Sequence, residues 1–177
     1  MYSYLGYKRD TQFFIGSSVG KWNEDTCNEF YKMLSSRLRF PTRKRKVTIN
    51  TDGNEQNIGG IKKHFHVDAV NYSRRKKIRK NQKIVGIVSE IIFGNQDRAK
   101  IGITQIDGFC SKLRERISCF TRKARSFAKR KTGLEDRLEI FSVQHNFMEK
   151  KRGKTPAMRE GIASKILDWS NVLHARI

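Results

Sequence analysis

A chain of 177 residues with a formal net charge of +21 has the length of one domain, and such a domain buries roughly 70% of its unfolded surface. Hydrophobic residues make up 37% and charged residues 31%, which describes a folded core beneath a strongly cationic surface. No apolar run approaches the roughly 18 residues of a membrane-spanning helix and "MYSYLGYKRD" lacks the apolar centre of a signal peptide; with no strong lipid signal or basic amphipathic helix either, nucleic acid is the expected polyanionic partner.

"YSYLGYKRDTQFFIGSSV" predicts two strands around a polar turn at 8–11, with Tyr2, Tyr4, Phe13, Phe14, Ile15 and Val19 as strand formers. "NEDTCNEFYKMLSSRLR" predicts a helix capped by Asn23, with Glu24 and Asp25 in its first turn. Cys27, Phe30, Tyr31, Leu34 and Leu38 form its apolar face, and Pro41 stops it. A strand over 47–51 follows and ends at Asp52 and Gly53. Strand, helix and strand in this order predict an α/β fold.

"NYSRRKKIRKNQK", residues 71–83, reads as an exposed loop or a solvated hairpin arm. "IVGIVSEIIFG" reads as a strand closed by Gly94, buried by its apolar ends, or as a short helix. From Ile103 a helical stripe runs through Ile106, Cys110, Leu113, Ile117 and Phe120, too short for a coiled coil. Asp107 lies at its edge, and Arg114 and Arg116 lie off it. A second stripe takes Leu134, Leu138, Phe141, His145 and Met148. "KKRGKTPAMREGI" reads as a loop before a short terminal helix holding Ile162, Ile166 and Trp169.

Asp52 is either a turn residue, as Asp-Gly commonly is, or half of a metal site at a strand end, where loops converge on ligands. Asp107 is either a second metal ligand or a surface acid near Arg114. Carboxylate oxygens suit Mg²⁺, and two ions about 3.5–4 Å apart clamp both oxygens of a phosphoryl displacement. The surrounding cations would hold the polyanionic substrate. His64 and His66, beside Asp68, would share a face in an extended segment, but packing or solvated histidines explain them better than zinc. Cys27, Cys110 and Cys119 are widely spaced, form no CxxC and fit a reducing cytosol. Arg74, Arg75, Lys76, Lys77, Arg79 and Lys80 form a solvated arm, a localisation signal or a DNA-backbone contact, of which the cationic chain favours the last. The same holds for Arg122, Lys123, Arg125, Lys129, Arg130 and Lys131. Trp22 and Trp169 read as core or subunit-contact residues rather than base-stacking platforms.

Four segments resemble the catalytic domain of insertion-sequence DDE transposases. "YSYLGYKRDTQ" resembles the stretch after the family's first catalytic Asp, and "INTDGNEQN" the strand with the second. "QIDGFCSKLRERI" is similar to the family's I-E-R-x-N-x-x-L-R motif. "FSVQHNFMEKKRGKTPAMREGI" is similar to its Y-N-F…K-T-P-A…G-I tail. The last two are the more specific, and together the four span nearly the whole chain. The resemblance implies an α/β, ribonuclease-H-like mixed sheet flanked by helices, with the first strand incomplete. It implies one catalytic-like domain over 1–177 carrying a basic arm at 71–83, and Mg²⁺ or Mn²⁺ held by Asp52 and Asp107. DNA ends and target DNA would be the partners, in a prokaryotic cytoplasm, with further copies of the chain.

By the same resemblance Asp52 is the second acid and Asp107 the third, where the family has Glu. Arg114 matches the motif's Arg and would contact DNA, and Cys110 replaces its Asn. The shorter acid would loosen a site by about 1 Å, a shift that can cost on the order of 10²-fold in rate. The family's first Asp would precede "YSYLG", so a truncated or misannotated transposase with little strand-transfer activity is expected. The classes in play are metal-dependent DNA cleavage and strand joining, DNA binding without chemistry by a transposase remnant, and an unrelated ribosomal or chromatin-type basic protein.

Overall fold

The computed structural model describes residues 1–81, 83–121, 128 and 130–175. In chain order its elements are β1 (Tyr2–Tyr7), β2 (Phe14–Gly20), α1 (Glu24–Arg37), β3 (Val47–Asp52), α2 (Gln56–His64), β4 (Val70–Lys80), β5 (Lys83–Phe93), α3 (Thr104–Arg116), α4 (Lys131–Val143), α5 (Pro156–Arg159) and α6 (Trp169–Leu173). Length predicted one domain; backbone contacts cluster in two compact units, Lys21–Cys110 and the combination of Met1–Gly20 with Ser111–Ile177.

In the unit Lys21–Cys110, the Asn23 side chain accepts from the Thr26 amide at 3.2 Å and starts α1. Cys27, Phe30, Tyr31 and Leu34 are buried at helical spacing. The helix ends at Arg37, ahead of Pro41, and Leu38 serves as its cap. The sequence reading had no α2, whose two glycines weaken the helical pattern. Gly60 is there for close approach: a Cβ would stand 2.3 Å from Tyr31 Cδ2. The Tyr31 hydroxyl donates to Asn57 Oδ1 at 3.0 Å beside this approach.

β3 and β4 pair in parallel, from Val47 opposite Val70 to Asp52 opposite Arg75, with α2 in the crossover. β4 and β5 pair antiparallel, giving a mixed sheet in the order β3-β4-β5. The protein is thus α/β, with a three-stranded mixed sheet flanked by helices. Strand alternation gives this sheet two unlike faces. Val47, Ile49, Val70 and Tyr72 share the apolar face, where Tyr72 packs on Phe93 at 5.8 Å and Lys62 of α2 covers the Phe93 ring. Asn50, Asp52, Ser73, Arg75, Lys77 and Arg79 share the other.

Two expectations need correction in this unit. The apolar ends of β5 were expected to be buried, yet Ile84, Val85, Ile87 and Val88 are exposed. β5 is an edge strand, and its neighbour there is the charged half of β4. The stripe over 103–120 holds in part: Ile103, Leu113 and Ile117 are buried, Phe109 joins them, and Ile106 and Cys110 are half-buried.

In the other unit β1 and β2 form an antiparallel hairpin, from Tyr2 opposite Gly20 to Tyr7 opposite Phe14. α4 buries Leu134, Leu138 and Phe141, and continues as a π-helical turn over Gln144–Met148. The wider turn lets two consecutive residues, His145 and Asn146, both be buried. The Asn146 amide holds the first residue of β2 twice: Oδ1 accepts from Phe14 N at 2.9 Å, and Nδ2 donates to Phe14 O at 2.8 Å. Part of the expected loop at 150–162 is helical, because Thr155 caps α5 by accepting from Met158 N. The expected terminal helix is shorter than predicted. Ile162 and Ile166 lie exposed before it, and α6 begins at Trp169 behind an Asp168 capping box. Trp22 and Trp169 are both exposed and stand outside the core. Among the described residues no helix is long and apolar enough to cross a membrane.

Candidate nucleic-acid interface

The polar face of the β3-β4-β5 sheet gathers several of the residues singled out from sequence. It begins with Asn50, Ser73 and Gln96. Ser73 is fully buried and its hydroxyl bonds Asn50 Oδ1, while Gln96 Nε2 donates to the same oxygen at 2.9 Å. Two residues along β3 from Asn50 comes Asp52.

Asp52 is a turn residue, and more than that. Its Oδ1 accepts from the Asn54 amide at 3.1 Å, and Asn54 Oδ1 accepts in turn from Gln56 N at 3.1 Å. Two successive Asx turns thus lead the chain from β3 into α2. The bond to Asn54 uses one carboxylate oxygen, and the side chain is exposed at the strand end.

Opposite Asp52 in register stands Arg75, whose Nε is buried without a hydrogen-bond partner. Lys77 is next along the same side of β4, about 7 Å further at the rise of a strand. Its ammonium lies 4.0 Å from Asp107 Oδ2, in the first turn of α3. Asp52 therefore shares one sheet face with Arg75 and Lys77, and Lys77 reaches Asp107 of α3. Arg79 extends that row of positive charge. Among the described residues, no group of three or more His, Cys, Asp or Glu could hold a metal ion.

Alternation sends the other half of the basic run to the opposite face. Arg74 was expected to contact DNA; instead its side chain is 13% exposed and its Nε donates to Glu90 at 2.6 Å. That bond raises the Arg74 pKa and holds the guanidinium charged. Glu55 lies 3.6 Å from its other end. Lys76 and Lys80 are exposed on this same side. Tyr72 lies there too, buried, so that desolvation pushes its phenol up although Thr51 hydrogen-bonds it at 3.0 Å.

The remaining expected residues belong to other elements or lie outside the described residues. Arg114 is half-buried in the last turn of α3, and its carbonyl accepts from Thr121 Oγ1. Arg130 is exposed at the start of α4, where Lys131 lies 3.7 Å from Glu135. Arg122, Lys123, Arg125 and Lys129 lie outside the described residues. His64 and His66 do not share an extended face, because His64 closes α2 and Phe65 caps it. Burial first, then Lys63 and Lys32, hold the His64 pKa below its usual range.

Sequence reasoning missed Asn50, Ser73 and Gln96. The signal for the first was the period-two pattern of "VTINTD", which puts Asn50 and Asp52 on one side. Comparison with protein-family models, with curated proteins and with solved structures finds no match for this chain.

Proposed function

We propose that the polar face of the β3-β4-β5 sheet binds a DNA backbone, and that Asp52 and Asp107 belong to a phosphodiester-processing site of the DDE transposase type. The observation that carries this reading is the common face: Asp52 opposite Arg75, with Lys77 beside Asp107 on the next rung. Arg75 stands on this face, and a guanidinium suits phosphate oxygens through its charged, forked donors. Lys77 and Arg79 extend the row, so successive phosphates have cations to neutralise.

The donor set fits Mg²⁺ or Mn²⁺ in kind, since such ions are held by one or two carboxylates together with water and substrate phosphate. A bound ion would supply Lewis-acid stabilisation of phosphate charge. Asp52 and Asp107 would hold it, with Arg75, Lys77 and Arg79 orienting the DNA strand. With two carboxylates together, cleavage and strand transfer are expected to be weak. DNA binding without chemistry is the second reading, favoured by the Lys77 ammonium, which neutralises Asp107 in place of a metal.

The test is binding and nicking of supercoiled DNA with Mg²⁺ or Mn²⁺, by the wild-type chain and by Asp52→Asn and Asp107→Asn. Salt-sensitive binding together with nicking abolished in both variants supports the enzyme. Salt-sensitive binding without nicking supports the binder. Affinity that does not change with salt removes both.

A further inference from the structure

β5 is the outer strand of its sheet, and it is unusual for an edge. Natural edges are blunted by charge, proline or cover. β5 instead exposes Ile84, Val85, Ile87 and Val88, each 40–60% accessible. Its charged residues are Lys83 and Glu90. An unpaired apolar edge of this kind is a template for another strand.

We infer that β5 pairs antiparallel with β5 of a second copy of this chain, about a two-fold axis through Ile87, to form a continuous six-stranded sheet. The inference is independent of the DNA-binding reading. Seven positions of β5 pair with β4 from Lys83 to Glu90, and Ile87 is the middle one. The irregularity opposite Ile78 and Arg79 leaves Val85 as the extra residue. With Val85 set aside, Lys83 and Glu90 fall on the same face, since they pair with Lys80 and Arg74. A two-fold axis perpendicular to the sheet must match faces, and this register does so. Ile87 stands opposite its own copy, Gly86 opposite Val88, Ile84 opposite Ser89, and Lys83 opposite Glu90. The two ends of the strand are thus charge-complementary to each other. The Arg74 bond occupies Glu90 Oε2 and leaves the second oxygen for the lysine of the partner. The interface closes on itself, as an isologous pairing requires.

The test uses the full chain and two measurements. In sedimentation, the wild type is expected to dimerise, and Lys83→Glu to weaken the dimer on the order of tenfold by placing like charges opposite each other twice. Glu90→Lys should do the same, and mixing the two variants should restore association as a heterodimer. In mild oxidation, Ile87→Cys should give a covalent dimer above the wild-type background, while Ile84→Cys should not. A monomer at all concentrations overturns the inference. So does a dimer indifferent to both charge reversals, equal cross-linking at 84 and 87, or growth into open-ended assemblies.

Discussion

Lys112, Arg116, His145 and Glu149 in one unit, and Asp52, Arg75, Lys77 and Asp107 in the other, are both mixtures of acids and cations, but they are built differently. In the first, the groups are tied to one another, although Glu149 Oε1 meets Arg116 as an ion pair and accepts no hydrogen bond. Lys112 donates to Glu149 and, at 2.9 Å, to His145 Nδ1, while Arg116 lies 3.2 Å from Glu149. The other imidazole nitrogen donates to the Gln12 carbonyl at 2.9 Å, and Phe141 stacks on the ring. The Gln12 carbonyl belongs to a residue held at φ 64°, so this bond helps fix a strained turn. In the second group, Arg75 Nε has no hydrogen-bond partner among the described residues, Asp52 is exposed, and Lys77 stands 4.0 Å from Asp107. A closed cluster spends its bonding capacity on the fold. An open one keeps capacity for something from solution. The comparison is sharpened by changes that should affect stability in the first group and binding in the second.

The largest effect is expected next to the closed cluster, at Asn146. Asn146→Ala strips the Phe14 amide and carbonyl of their partners in a buried place, a loss of about 2–5 kcal/mol at the usual cost of two unsatisfied groups. Urea unfolding measures it, and DNA affinity of the folded fraction should not change. A stability loss near zero would show that water reaches β2 and that this unit is not closed in the sense described.

The second effect is a pH dependence. Burial, with Lys112 adding to it, lowers the His145 pKa below its ordinary 6.5, against the opposing pull of the Gln12 bond and Glu149. The folded state thus favours neutral imidazole, and the unfolded chain takes up this proton first as pH falls. Stability from His145 is full above about 6.5 and declines below it, toward the depressed value. Desolvation pushes Glu149 up, but Lys112, Arg116 and His145 together outweigh it and hold the carboxyl below its ordinary 4.5. Its contribution disappears only at lower pH, as pH falls through that depressed value. Unfolding midpoints followed from pH 8 to 3 should therefore fall in two steps, with His145→Gln flattening the upper one and changing the lower one less, since Lys112 and Arg116 remain beside Glu149.

What could be read from sequence follows the same division. α1 was legible because its cap and its apolar period lie within one segment. The β1-β2 hairpin was legible from strand formers around a polar turn, and Asp52 from its place at a strand end. α2 was not, since its glycines are explained only by the approach of Tyr31 from another element. Asn146 was not, because a π-helical turn breaks the helical period that carries such predictions. The basic run at 71–83 was read as one patch. Strand alternation splits it into an Arg74 side and an Arg75 side, and its character as a strand is visible only once β3 and β5 flank it. The exposure of β5 also escaped, because an apolar strand at an edge has the same sequence as one in a core.

That split supplies the smallest effects and the most direct discrimination. Arg74 and Lys77 are three residues apart in one charge run, and sequence treats them alike. Arg74→Ala removes a charged bond to Glu90, which is partly exposed, so about 1 kcal/mol of stability should disappear. DNA affinity should keep its salt dependence, because Glu90 holds this guanidinium on the opposite face of the sheet. Lys77→Ala removes only a long, exposed pair with Asp107, and stability should move by no more than about 0.5 kcal/mol. Its effect should appear in binding: the slope of log K against log salt should become shallower by about 1, the signature of one phosphate left without its cation. Arg75→Ala should act as Lys77→Ala does. Equal slope changes at Arg74 and Lys77 would mean that DNA meets the run as an undivided patch, and the polar face would lose its claim to be the interface. A change at Lys77 and Arg75 but not at Arg74 would tie DNA to the face that carries Asp52 and Asp107.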